Sequence, residues 1–259
     1  MIFSSTPAVC YDSVPIALEA ELLHAFVRPG ARFGHLVQAE YPALVNVVRA
    51  STSDAEALAV CRGFAEGERA DHAQAIADAR DVFQARWDSV GNAFLRLLAE
   101  HMQTDWPIDK SVIRGYVSIN PVAPRFLRTY SFMLSYRKTP DQALETTAHE
   151  IVHFLWFKKW KEIFPEIDSR EFESPHLVWR LSEIIDPVIL HAHPEIRELI
   201  HPTHRGYRAV TKLMIGDVGA IEYFTQAYTR SVRAGDTFAD TMRSLWEETQ
   251  RHRDILAGF

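Results

Sequence analysis

The stretch Thr146-Thr147-Ala148-His149-Glu150-Ile151-Val152-His153-Phe154 decides how this chain is read. It holds His149-Glu150-x-x-His153 inside an apolar segment that continues through Leu155, Trp156 and Phe157. Thr139-Pro140-Asp141 marks a helix start, and Pro165 closes the segment after Phe164. Residues four apart share a helical face, so both imidazoles can reach one metal ion. Glu150 is turned about 100° from His149, beside the ion and not on it. From there its carboxylate can take a proton from a water on the metal. Zinc suits two neutral imidazoles and brings the pKa of a bound water to about 7. Multiplying residue frequencies along a chain with 12 His and 19 Glu gives this pattern about 0.04 times by chance. The competing reading is a helix surface that carries His and Glu by accident. The apolar flanks argue against it, because two His and a Glu on a buried helix need partners.

A zinc ion with water in its fourth position needs a third protein donor. A third histidine at the metzincin spacing is absent: position 159 is Lys, and position 156 is Trp where that pattern has Gly. The best candidate is Glu183, in Trp179-Arg180-Leu181-Ser182-Glu183-Ile184-Ile185-Asp186, on a second helix with apolar neighbours. Glu173, His176 and Asp186 are the other candidates. Glu183 and Asp186 are three apart and share a face, so Asp186 can accept the second N–H of His149 or His153.

These residues resemble the gluzincins, the thermolysin-like branch of the zincin metallopeptidases. In that group the two motif histidines and a distal glutamate bind one zinc, and the motif glutamate is the general base. The resemblance implies those roles for His149, His153, Glu183 and Glu150. It also implies a zincin-like core, with an edge strand before the motif helix that holds an extended substrate. Arg128–Arg137 stands in the right order for that strand, which would take peptide by β-addition. In the group a Tyr or His commonly steadies the oxyanion. Tyr207 is the first choice here, ahead of Tyr223, Tyr228, His201 and His204. The match covers roughly residues 112–190. The chain departs from the thermolysin pattern in having no Asn before the distal Glu, and in placing Asp186 three residues on, not four.

Around this centre the pattern is α+β and mostly helical. Helices are expected from Pro15, over Ala55–Ala65 after a Ser53-Asp54 cap, and over Ala70 to Met102. Others are expected around 175–186, 188–200, 205–215, 218–233 and 237–256. Ser111–Asn120 and Arg128–Arg137 read as strands of a small antiparallel sheet; the second alternates aromatic and small polar residues with a period of two. The expected division is a helical N-terminal region, 1–107, and a zincin-like catalytic region, 108–259, packed together as one compact unit. Seven of the twelve histidines fall between His149 and His204, in the second region.

The 259 residues include 28 Lys+Arg against 34 Asp+Glu, a net charge of −6, and no basic run stands out. This argues against an electrostatic nucleic-acid binder. At 47% hydrophobic the chain is not disordered. Cys10 and Cys61 make no disulfide framework, no 18-residue apolar run is present, and no secretory signal is expected from the first residues given. A soluble cytoplasmic protein with a peptide or protein substrate, and with no nucleic-acid or membrane partner, is expected. Two other functions compete with a zinc peptidase. Glu21/His24, Glu150/His153 and Glu198/His201 are Glu-x-x-His pairs of the kind used by di-iron carboxylate bundles. A non-catalytic module with bound zinc is the other.

Overall fold

The computed structural model describes residues 6–206 and 209–258. The chain is mostly helical, with a small mixed sheet and a separate two-stranded one. It divides into two compact units. One takes in Ala8–Ser89 and Val112–Thr147, and the other takes in Val90–Ser111 and the chain from Ala148 on. The division does not fall at the expected 107/108 boundary, because strand pairing draws distant segments into one unit.

In the first unit β1 (Ala8–Ser13) is followed by helices α1 (Ile16–Val27), α2 (Gly34–Glu40), α3 (Pro42–Ala50), α4 (Asp54–Asp71) and α5 (Ala73–Asp88). After α6 (Gly91–Met102), which belongs to the other unit, come β2 (Val112–Ser118), β3 (Arg125–Phe126) and β4 (Ser131–Ser135). The sheet order is β1-β2-β4-β3. β1, β2 and β4 run parallel, and only β3 is antiparallel to its neighbour. The expected antiparallel pair is therefore a parallel one. Asn120-Pro121 and Ala123-Pro124 lie between the strands, and proline withholds the donors a tight hairpin would use. The chain instead crosses to the far side of β4, lays down β3 there, and returns. Arg128–Arg137 is thus no edge strand: β4 lies between β2 and β3, and all five of its residues are buried. Both faces are covered, so its two-residue alternation does not separate inside from outside.

Tyr11, Gly115 and Phe132 stand side by side across β1, β2 and β4. Gly115 has no side chain, so the two rings meet edge to face over it, 6.4 Å apart. A Cβ at Gly115 would lie 2.8 Å from the Tyr11 ring and 2.9 Å from that of Phe132. The outer rim of β1 is met by Gln84 of α5. Its amide donates to the Val9 carbonyl (3.0 Å) and accepts from the Tyr11 N–H (2.9 Å). One residue of a parallel strand would bond that rim in the same way. The long helix expected over 70–102 is three, α4 ending at Asp71, α5 and α6. His72 (φ −113°, ψ 17°) and Val90 (φ −136°, ψ −20°) leave helical geometry at the joints.

In the second unit α6 packs near α9 and α11, and the rest follows α7 (Pro140–Ile163), whose residues to Thr147 belong to the first unit. A 3₁₀ turn at Ser169–Phe172 leads to α8 (Leu177–Ala192) and α9 (Pro194–Ile200). Among the described residues of 205–215, the expected long helix is not found. Their described part is a 3₁₀ turn and β5 (Met214–Ile215), which hairpins through Gly216 (φ 61°) to β6 (Val218–Gly219). α10 (Ala220–Ala234), α11 (Phe238–Arg251) and α12 (Arg253–Leu256) complete the unit. Phe94, Leu98, Leu155, Trp160, Ile189, Phe224 and Leu245 are among its core residues. Between α8 and α9 the buried His193 stacks on His101 of α6 (3.7 Å) and meets the Tyr228 hydroxyl of α10 at 2.7 Å. Burial, then the facing His101, push the His193 pKa down to about 4, against the pull of Glu195. Among the described residues no helix is long and apolar enough to cross a membrane.

Candidate metal centre

α7 opens with a reciprocal cap. The Gln142 N–H donates to Thr139 Oγ1 (3.3 Å), and the Gln142 side chain accepts from the Thr139 N–H (3.0 Å). Pro140 fills the first position, where its missing N–H costs nothing. Farther along, Tyr11 Oη and Thr147 Oγ1 hydrogen-bond at 2.6 Å inside the first unit, tying β1 to the turn just before His149. Burial, working against the ordinary ionisation of a phenol, pushes the Tyr11 pKa up. From Ile151 to Phe157 every residue is buried. The helix has no wet face there, and polar groups on it must find partners inside.

The second set of polar groups comes from α8, buried from Val178 through Leu190. Arg180 donates through Nε to the Pro175 carbonyl (2.7 Å) and through Nη1 to that of Leu256, fixing the start of the helix. Pro187 lies inside α8, four residues after Glu183, and has no N–H to give the Glu183 carbonyl. The helix continues because its apolar side chains are packed all round.

His149, His153 and Glu183 come together as a group that could hold a metal ion. His153 is fully buried, Glu183 is 8% exposed and His149 is half-buried. His153 Nε2 lies 3.2 Å from His149 Nε2 and 3.5 Å from Glu183 Oε1. His149 Nε2 lies 3.8 Å from Glu183 Oε2. Donors about 2.05 Å from a tetrahedral zinc are separated by about 3.3 Å, so these spacings fit an ion of that size. Asp186, 1% exposed, adds Oδ2 at 3.0 Å from His149 Nδ1 and 3.2 Å from His153 Nε2. Two carboxylate oxygens and the other imidazole nitrogen stand within 3.5 Å of His153 Nε2. A cation among them relieves that crowding. The charges point the same way. Burial disfavours the imidazolium of His149, but Asp186, then Glu150 and Glu183, outweigh it and push its pKa up to about 10. The carboxylates here favour positive charge. Glu150 is 5% exposed, one position along α7 from His149.

The other candidates lie elsewhere. Glu173 and His176 are exposed, and His176 pairs with Glu171 at 3.3 Å. Tyr207 lies outside the described residues. Tyr223 donates to Glu248 (2.6 Å), Tyr228 is held by His193, and His201 and His204 are exposed. Glu21 and Glu198 are exposed, His24 sits 3.8 Å from Asp54, and among the described residues no second metal-type group forms. Sequence reasoning missed two contributors. Tyr11 was not connected to the motif, although a Thr just ahead of the histidines on an apolar helix is a sign of a buried hydroxyl partner. Phe157 belongs to the apolar segment, and its ring also stacks on that of His153, 5.9 Å away and inclined by 17°. Comparison of the chain with protein-family models, with curated proteins and with solved structures gives no match.

Proposed function

We propose that this chain is a zinc-dependent hydrolase of peptide bonds, related in its chemistry to the gluzincins it resembles. One observation carries the proposal: two imidazoles and a carboxylate gather at zinc-sized spacing in a buried setting, with Glu150 beside them. His149, His153 and Glu183 would hold the ion. Zinc there would supply a Lewis acid and a water acidic near neutral pH. Glu150 is the base: its carboxylate takes a proton from the attacking water and passes it to the leaving nitrogen. Its burial keeps bulk water from competing for that proton. Phe157, stacked on His153, fixes the ring plane and so the direction of its Nε2 lone pair.

The test is metal content by mass spectrometry on protein purified without an affinity metal, followed by a peptide-library assay of wild type and Glu150→Gln. One zinc per chain in both, with turnover lost by about 10²–10⁴-fold in the variant, is expected. Two irons per chain, or full turnover by Glu150→Gln, would overturn the proposal. A non-catalytic zinc module is the second reading. It is favoured by the burial of His153 and Glu183, a setting that a structural site shares.

A further inference from the structure

Packing alone does not account for two tryptophans of α7. Trp156 and Trp160 lie four residues apart on one face, with ring centroids 4.9 Å apart and planes inclined by 27°. Both are buried, and the indole N–H of each has no hydrogen-bond partner. Burying such a donor costs free energy that phenylalanine in the same space would not incur. The two rings also belong to a longer series. On the inner side Trp156 meets Phe157 edge on (5.1 Å), and Phe157 stacks on the candidate ligand His153. On the outer side Trp160 meets Trp246 of α11 edge on, at 5.1 Å and inclined by 89°. Of the six tryptophans, Trp246 alone is not buried. Ring contacts thus run unbroken from the metal centre to the surface, all within the second unit.

We propose that Trp156, Trp160 and Trp246 form an electron-transfer chain that carries oxidising equivalents away from the metal centre when a redox-active ion is bound there. The inference rests on the metal-binding reading above, not on the peptidase step. Zinc has no redox chemistry, so with zinc the chain is silent. Two imidazoles and one carboxylate are also donors for iron(II), so the same site accepts an ion that reacts with peroxide. In that reaction the O–O bond breaks to give two hydroxides. One electron comes from iron(II), which becomes iron(III), and the other comes from the nearest indole. Trp156 and Trp160 have no acceptor for the indole proton, so neither settles as a neutral radical, and the deficit passes outward. Trp246 reaches solvent, gives its indole proton to water and keeps the deficit as a neutral radical. Phe157 is too hard to oxidise to hold it and serves as the contact between ligand and chain. Without the chain the second electron would come from His149 or His153, and the centre would lose its ligands.

Iron(II)-loaded full-length protein treated with hydrogen peroxide provides the test. Peptide mass spectrometry locates the oxidised side chains, electron paramagnetic resonance reads the radical, and zinc-loaded protein gives the background. We expect wild type to be oxidised at Trp246, with a tryptophan radical, and spared at His149 and His153. Trp160→Phe keeps an aromatic ring in place but breaks the chain. It should lose Trp246 oxidation to the zinc-loaded level and show it instead at Trp156 and the two histidines. Trp246 oxidation at the wild-type level in Trp160→Phe would overturn the inference, because the oxidant would then reach Trp246 through solvent. Wild type oxidised at the histidines and not at Trp246 would overturn it equally. Should Trp160→Phe fail to fold, Trp156→Phe breaks the chain one step nearer the ion and decides by the same readout. Wild-type protein that takes up neither iron nor zinc would sink the metal-binding reading itself, and is seen before peroxide is added.

Discussion

Replacing Gly115 by Ala should destabilise the protein by about 2–4 kcal/mol. The new Cβ would lie 2.8 Å from Cδ1 and Cε1 of Tyr11 and 2.9 Å from Cζ of Phe132. Carbon atoms settle at about 3.5–4.0 Å, so each ring has to retreat by roughly 0.6 Å or more. Tyr11 is hemmed in by Phe83 (6.1 Å between ring centroids) and Phe132 is fully buried, so neither retreats freely. Overpacking of this kind costs about 1–3 kcal/mol. Displacing Tyr11 also stretches its 2.6 Å bond to Thr147, which costs about 1 kcal/mol more. Urea denaturation followed by circular dichroism reads the effect. With a slope near 3 kcal/mol per molar, the midpoint should fall by about 1 M at unchanged slope. Tyr11→Leu in the same chain should absorb part of the loss, because it frees the space the methyl group needs. An unchanged midpoint for Gly115→Ala alone would show that the three-residue contact across the strands is not a close one.

Three further outcomes follow from other contacts. Glu183→Ala should lower zinc affinity at least about tenfold, measured by chelator competition, and an unchanged affinity would remove Glu183 from the donor set. The His193 pKa is depressed on folding, so its contribution is complete above the ordinary histidine pKa of 6.5 and is lost as pH falls toward about 4. Wild type should therefore lose up to about 3 kcal/mol more than His193→Gln between pH 7.5 and 4.5; parallel stability curves would refute this. Gln84→Leu should cost about 2 kcal/mol, as it leaves the Val9 carbonyl and the Tyr11 N–H without the amide that bonds them. Thermal melts of wild type and variant would read it.

Local chemistry was legible in the chain, and long-range pairing was not. The i, i+4 histidines and the Glu183/Asp186 pair lie on faces set by helical period alone, and His149, His153 and Glu183 do gather. The start of α7 could likewise be read from Thr139-Pro140. β1 escaped notice because six residues of mixed character have no local signal. Its partner, Val112–Ser118, lies about a hundred residues on. The direction of β2 against β4 depends on where the connection passes, which no periodicity reports. The breaks at His72 and Val90 carry neither proline nor glycine on the residue that bends; tertiary packing imposes them.

Pro187 bears on which parts of the centre could exist outside this protein. A proline inside a helix costs about 3 kcal/mol or more. α8 crosses it because Val178, Leu181, Ile184, Ile185, Val188 and Ile189 are buried by their neighbours. Cut out as a peptide, residues 177–192 would lose that burial and have little reason to stay helical past the turn that bears Glu183 and Asp186. The α7 histidines need only one continuous helix to remain in register. The centre thus has one autonomous half and one dependent half. A graft of the α7 motif would transplant two donors, while the carboxylates can be moved only together with the fold that packs around them.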